Sequence, residues 1–129
     1  ALPDGRTVIV RAVHPFPPTD PNLEFWRSGL AGLRAWTQRQ PDGIPLVLAG
    51  DFNASADHPG FRALAEGMVD AHAQTGSGWV RTWPQGRRII RPFVQIDHVL
   101  ARGLQAVAAG VVTVPGTDHA AVWARWSLG

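Results

Sequence analysis

Six side chains in this sequence have the types that hydrolytic chemistry uses, and each stands at a strand end or inside an apolar run: His14, Asp51, Asn53, Asp97, Asp118 and His119. Asp51 and Asn53 follow the apolar run Ile44 to Ala49 (IPLVLA) directly. In open α/β sheets ligands sit off the carboxyl ends of strands. A carboxylate there can bind a divalent cation or orient a water, and the neighbouring carboxamide can hydrogen-bond a phosphate oxygen. The same residues also read as a turn with an Asx cap after Gly50. Asp97 interrupts an otherwise apolar stretch (FVQIDHVLA). A buried carboxylate needs a partner; on an edge strand it would face water instead. Asp118 and His119 belong to a turn entering the last strand, and His14 ends the first. Taken singly, each is as consistent with a surface or structural role. Together they make a set. A histidine needs a carboxylate to fix its tautomer and raise its basicity before it handles a proton near neutral pH. Carboxylates and imidazoles gathered at strand termini supply the parts of a metal-assisted hydrolytic site.

The elements that must carry these groups are legible from pattern. Arg6 to His14 is rich in β-branched residues and bounded by Gly5 and Pro15, which predicts a strand. PFPPTDP is a stiff loop, since Pro17 and Pro18 deny it a ladder. Asp20 can cap a helix, with Pro21 in the first turn and Glu24 at the positive end of the dipole. Leu23, Trp26, Leu30, Leu33 and Trp36 fall three or four apart and form its apolar face. Gln40-Pro41-Asp42-Gly43 ends it. Ile44 to Ala49 is expected as a strand buried on both faces. Asp57 is expected to cap a second helix, with Pro59 early and Phe61, Leu64, Ala65 and Met68 inward. Thr75 to Arg91 has no period and reads as a long loop, a length that usually goes with function or mobility. Strands are expected at Phe93 to Ala101, Val107 to Val114 and His119 to Leu128, with a turn at Pro115-Gly116-Thr117-Asp118. The order strand, helix, strand, helix, then three strands implies an α/β fold with a mixed sheet and helices on one face.

Composition narrows the class. The chain has 129 residues, 45% hydrophobic and 17% charged, which suits one ordinary globular domain and excludes a disordered tail. No apolar run approaches the ~20 residues of a membrane span, and the first residues do not read as a signal peptide. Cysteine is absent, which excludes disulfides, zinc fingers and thiol nucleophiles from these residues and leaves the compartment open. All 12 basic residues are arginine, against 10 acids, so the formal charge of +2 gives no argument for nucleic acid. The alanine-rich, lysine-free usage suggests a GC-rich genome.

The ordered set His14, Gly50-Asp51-Phe52-Asn53, Ile96-Asp97-His98 and Thr117-Asp118-His119 resembles the endonuclease/exonuclease/phosphatase superfamily. That group includes pancreatic-type deoxyribonucleases, abasic-site endonucleases, inositol polyphosphate 5-phosphatases and neutral sphingomyelinases. Its pattern is GD-x-N, then an I-D-x strand, then an S/T-D-H turn near the C-terminus, and all three occur here in that order. The resemblance implies half of a four-layer α/β sandwich and a metal-dependent phosphoesterase, with Mg²⁺ or Mn²⁺ as cofactor. Nucleic acid, phospholipid and inositol phosphate remain equally open as substrates. By the same resemblance His119 is the general base, or the group that stabilises charge on the phosphoryl centre. Asp97 holds His119 in its working tautomer, and Asp51 orients or deprotonates the attacking water and contributes to the metal. Asn53 grips the scissile phosphate, Asp118 supports the metal or the hydrogen-bond network, and His14 donates to a phosphate oxygen or assists the leaving group. His98 is expected to stand behind the site. The loop with Trp79, Arg81, Trp83, Arg87, Arg88 and Arg91 offers a substrate rim, Arg81 being the expected phosphate contact, or else a solvated loop with Trp83 packed inward. Thr82-Trp83-Pro84 resembles a family segment that packs near the site.

Only the C-terminal half of the family pattern is present. The early Asn and the metal-binding Glu belong to an N-terminal half, and Glu24 and Glu66 lie in helices where they cannot substitute. The chain is therefore expected to be part of a longer enzyme with poor metal affinity on its own. Its sheet is expected to expose an apolar face that the other half, or a second copy, would cover. Relatives with membrane segments lean the location towards an extracytoplasmic one. The alternative reading is a non-catalytic interaction module that keeps the fold.

Overall fold

The computed structural model describes residues 1–2 and 4–128. In chain order it contains β1 (Ile9–Val13), α1 (Leu23–Gln38), β2 (Leu46–Asp51), α2 (Pro59–Ala65), β3 (Val69–Asp70), α3 (Ala71–Gln74), β4 (Asp97–Arg102), β5 (Gln105–Thr113) and β6 (Ala120–Ser127). A four-stranded sheet has the order β1-β2-β4-β3, with β1 parallel to β2 and the remaining pairs antiparallel. This is the mixed α/β sheet that the element order implies. The last two strands pair with each other, as an antiparallel hairpin with an irregularity between Ala106 and Ala108.

Alternation along β2 explains how the layers assemble, because successive strand side chains point to opposite faces. Leu46 and Leu48 join Trp26, Leu30 and Leu33 of α1 and Phe61 and Leu64 of α2 in one core. Val47 and Ala49 pack the other way, against Val99 and Ala101 of β4, Ala71 of α3, and Val122, Ala124 and Trp126 of the hairpin. The strand is buried on both faces, as its unbroken apolar run requires. One face of the sheet therefore carries α1 and α2; the other carries the hairpin and α3. Arg102 of β4 ties the sheet to the end of α1. Its guanidinium donates to the carbonyls of Thr37 (3.2 Å), Gln40 (3.0 Å) and Pro41 (3.2 Å), at and just beyond the last turn of that helix.

Several boundaries differ from expectation. Helix α1 is capped at Asn22, without a side-chain bond, and not at Asp20. A turn that closes from Asn22 N–H to the Thr19 carbonyl holds Asp20 and Pro21 outside the helix. Helix α2 is capped by His58 and not by Asp57: His58 Nδ1 accepts from the Gly60 amide at 3.1 Å. Met68 lies beyond α2 but still packs against the first core. Strand β2 starts later and runs further, through Gly50 and Asp51, because both residues pair with β4. Residues 93–96 stay outside the ladder apart from an isolated bridge between Trp83 and Val94, so the loop is longer than Thr75 to Arg91 and β4 begins at Asp97.

Candidate active site

The period-two alternation of the sheet also decides where the polar residues gather. On β2 the face of Val47 and Ala49 next presents Asp51, and on β4 the face of Ala101 and Val99 next presents Asp97. The ladder sets Asp51 directly opposite Asp97. Like charges directly opposite one another destabilise a sheet, so the pair demands a partner. His119, at the entry to β6, supplies it. Its Nδ1 lies 2.9 Å from Asp97 Oδ2 and 3.2 Å from Oδ1, and its Nε2 lies 3.8 Å from Asp51 Oδ2. With Nδ1–H donating to Asp97, the tautomer is set and Nε2 is left facing Asp51 and the opening of the site.

Asp51 uses its two oxygens differently. Oδ1 accepts the Asn53 amide at 2.7 Å, closing an Asx turn, while Oδ2 faces both His119 and His14, whose Nε2 is 3.6 Å away. The Asx turn and the site are thus the same structure, and the two readings of Gly50-Asp51 are compatible. Asn53 adopts a left-handed backbone (φ 51°), which asparagine tolerates better than most residues. Its Nδ2 donates to the Pro15 carbonyl at 3.0 Å, fastening this turn to the segment after His14. Phe52, fully buried between them, plugs the turn into the first core, and Trp26 Nε1 of α1 donates to its carbonyl at 3.3 Å.

Charge follows from this crowding. Burial pushes the Asp51 carboxyl above its ordinary 3.8, and Asp97 adds to the effect, while the Asn53 amide and the two imidazoles pull it back. Burial pulls the His119 imidazolium down, but its hydrogen bond to Asp97 and the charges of Asp97, Asp51 and Asp118 outweigh that. The net shift is above the ordinary 6.5.

Asp118 contributes to the field at His119 but does not join the cluster of ligand atoms. Its carboxylate accepts from Trp83 Nε1 (3.3 Å) and lies 3.8 Å from the Arg87 guanidinium. The cluster whose ligand atoms lie within 4.8 Å of one another is Asp51, Asp97 and His119. Two carboxylates and an imidazole suit a hard or borderline divalent cation in donor type. They offer it few free donors, since the Asp97 oxygens both face His119. Arg81 stands apart, its guanidinium stacked 4.4 Å from the exposed ring of Trp79. Thr82 belongs to the Thr82-Trp83-Pro84 segment that the resemblance sets near the site, and what the sequence leaves unread is its role there. It is fully buried, and its Oγ1 accepts the amides of Ile96 (3.1 Å) and Asp97 (3.3 Å), fixing the backbone that carries the carboxylate. A lone threonine in an aperiodic loop gives no local signal of that role.

His98 stands behind the turn that carries Asp51 and Asn53, on its core side, and is not part of the cluster. Neighbouring positions on β4 face opposite ways, so it points into the first core against Phe52 and Phe61. Its ring nitrogens lie 2.9 Å from Asp70 Oδ2 and 3.0 Å from the Ala54 carbonyl. Asp70 is a structural hub, because its Oδ1 also caps α3 through the amides of His72 and Ala73. Burial opposes its ionisation, but the His98 contact and those amides hold its carboxyl below the ordinary 3.8. A lowered carboxyl stabilises the fold above that ordinary value and loses its contribution as pH falls through the folded one. Asp70→Asn is therefore expected to cost about 1–3 kcal/mol at neutral pH and to flatten the acid limb of melting temperature against pH. The raised carboxyl of Asp51 works in the opposite sense, so the parent-minus-variant difference is the curve to read. A difference that persists unchanged in acid would refute the assignment.

The sequence profile of the Endonuclease/Exonuclease/phosphatase family matches residues 1–119. The chain belongs to this family. No curated protein matches the sequence. Among solved structures, the family's chain resembles a mannosyl-6-phosphatase of Bacteroides thetaiotaomicron, with TM-score 0.76, 15% identity, and coverage of 96% of this chain and 52% of that one. It resembles an endonuclease/exonuclease/phosphatase from Beutenbergia cavernae, with TM-score 0.68, 27% identity, and coverage of 93% and 35%. It also resembles the 3′ phosphatase NExo from Neisseria bound to a product DNA hairpin, with TM-score 0.69, 22% identity, and coverage of 92% and 60%. The chain spans about half the length of the first two structures matched, 50% and 52%. These likenesses carry the fold, an α/β sandwich of this family.

Proposed function

We propose that this chain supplies the base, imidazole and phosphate-gripping side chains of a divalent-metal phosphoesterase, and that a second half carrying an Asn and a metal-binding Glu completes it. The observation that carries the reading is the meeting of Asp51, Asp97 and His119 within 4.8 Å of one another, from three separate stretches of chain. In this reading His119, held by Asp97, stabilises charge on the phosphoryl group through its Nε2–H, and the shift of its value above the ordinary 6.5 is in the direction that favours the imidazolium. Asp51 Oδ2, more basic than an ordinary carboxylate, orients and deprotonates the attacking water. Asn53 and His14 bracket the phosphate from the neighbouring turn. Asp118 acts through the field it places on His119, and Arg81 is an outer phosphate contact. A Mg²⁺ or Mn²⁺ ion shared by Asp51 and the missing Glu would neutralise charge on a phosphoryl or leaving oxygen. The exposed apolar positions Val10 (69%) and Trp123 (46%) favour a sheet surface that the second half, or a second copy, covers.

The pH–rate profile of bis-p-nitrophenyl phosphate hydrolysis with Mg²⁺ or Mn²⁺, by the chain joined to its second half, tests the assignment. An imidazolium stabiliser gives activity that falls as pH rises through the His119 value. Asp97→Asn removes the charge that raises this value, so the falling limb moves to lower pH. A limb that instead rises with pH and moves with the same substitution would make His119 the base. A profile indifferent to Asp97→Asn would remove the dyad from the mechanism.

A further inference from the structure

We propose that the loop after α3 docks the protein on an anionic lipid surface and so presents the active site to phosphate esters carried there. The second part rests on the phosphoesterase reading; the docking does not. Residues 79–93 expose Trp79 (76%), Ile89 (93%), Ile90 (49%) and Phe93 (55%). The same fifteen positions hold Arg81, Arg87, Arg88 and Arg91 and no acidic residue. Single exposed hydrophobics are ordinary, but this many on one basic loop calls for a partner.

The loop is fixed to the site at its base and free at its tip. The Trp83–Val94 bridge closes it. Around the bridge, Thr82 holds the Asp97 amide, Trp83 holds the Asp118 carboxylate, and just past it Pro84 is buried and the Gln85 amide donates to the Asp118 carbonyl. The stretch 86–91 beyond them is exposed at the rim of the cluster. Trp79 and Phe93 border the same cleft at its root.

The chemistry of the tip favours lipid over a nucleic acid strand. Ile89 and Ile90 have no ring to stack on a base, yet gain free energy on leaving water for the headgroup–acyl boundary. Arg88 and Arg91 flank that pair, where their stems can run along apolar surface and their forks can reach lipid phosphates. Trp79, with Arg81 over one face, is the amphipathic pairing that interfaces collect. Among the described residues no helix is long and apolar enough to cross a membrane, and the contact proposed here is with the surface alone.

Flotation of the chain with phosphatidylcholine vesicles, with and without phosphatidylglycerol, tests the docking without any turnover. The parent is expected to float with the anionic vesicles and not with the neutral ones. Arg88→Ser/Arg91→Ser lowers the anionic partition by roughly 25-fold, about fivefold per arginine. Ile89→Ser/Ile90→Ser lowers it roughly tenfold or more, and both variants keep the parental circular dichroism and melting temperature. His119→Ala floats like the parent, so loss of the phosphoesterase reading is not mistaken for loss of docking. In the completed enzyme, Ile89→Ser/Ile90→Ser leaves hydrolysis of soluble bis-p-nitrophenyl phosphate unchanged and lowers hydrolysis of a phosphate ester on anionic vesicles. A parent that stays unbound to both vesicles overturns the proposal. So does an isoleucine variant that floats as well as the parent, or a parent that prefers single-stranded DNA to vesicles.

Discussion

Replacing His119 by alanine is expected to lower kcat for phosphodiester hydrolysis by about 10²–10⁴-fold while the protein stays folded. The imidazole bonds one carboxylate of the cluster, Asp97, through Nδ1 and faces the other, Asp51, across the opening from Nε2. Its loss removes the proposed Nε2–H donor from the phosphoryl site and leaves Asp51 and Asp97 opposed on adjacent strands with nothing between them. The second effect has a structural cost of about 1–3 kcal/mol; the first corresponds to about 3–5 kcal/mol of barrier. Asp97→Asn separates the two. It keeps an oxygen for Nδ1–H and relieves the opposition to Asp51, so melting changes little. It also removes the charge that holds the imidazolium, so kcat falls by more than stability does. Steady-state kinetics beside thermal melting decide it: a variant that loses stability and retains turnover would show that the pair only braces the fold.

The residues of the cluster were legible because strand ends are legible. An apolar run that stops at Gly50-Asp51, a carboxylate inside FVQIDHVLA and an Asp-His turn before the last strand are local signals, and their order along the chain carries the family resemblance. What made them a cluster was not local. Asp51 faces Asp97 because β2 extends two residues past its apolar run and pairs with β4 in that register, and strand boundaries are where pattern is weakest. The opposite fates of Asp97 and His98, neighbours in sequence, follow from the pleat alone once the register is known. Strand β3 and helix α3 were invisible for a different reason: two and four residues are too short to show a period. They are held by Asp70, whose partner His98 lies 28 positions away. Asp20 and Asp57 looked like helix caps by type, and local turns closing on Thr19 and Ser55 gave the caps to Asn22 and His58.

Gly50→Ala is expected to be the most disruptive single-atom addition in the chain. Gly50 sits opposite Val13 in the β1–β2 ladder with φ 145°, a conformation that L side chains rarely adopt. A Cβ built there lies 2.1 Å from the Val13 carbonyl oxygen and 3.1 Å from its carbon and nitrogen, so the obstacle is backbone and no rotamer can yield. Backbone strain of about 1–3 kcal/mol adds to overpacking of about 1–3 kcal/mol, and the melting temperature should fall by on the order of 10 °C. The alternative to losing stability is to push β1 away from β2, which parts the ends that carry His14 and Asp51, now 3.6 Å apart. Either escape therefore reaches the site. Gly32→Ala provides the opposite sign in the same experiment. Gly32 is exposed within α1, has an ordinary φ, and a Cβ there meets nothing within 4 Å. In a helix interior that exchange stabilises by about 0.5–1 kcal/mol. Thermal melting of the two variants beside the parent should thus move in opposite directions, and a Gly50→Ala protein that melts with the parent and keeps its activity would show that β1 and β2 do not approach as closely at this point as the site requires.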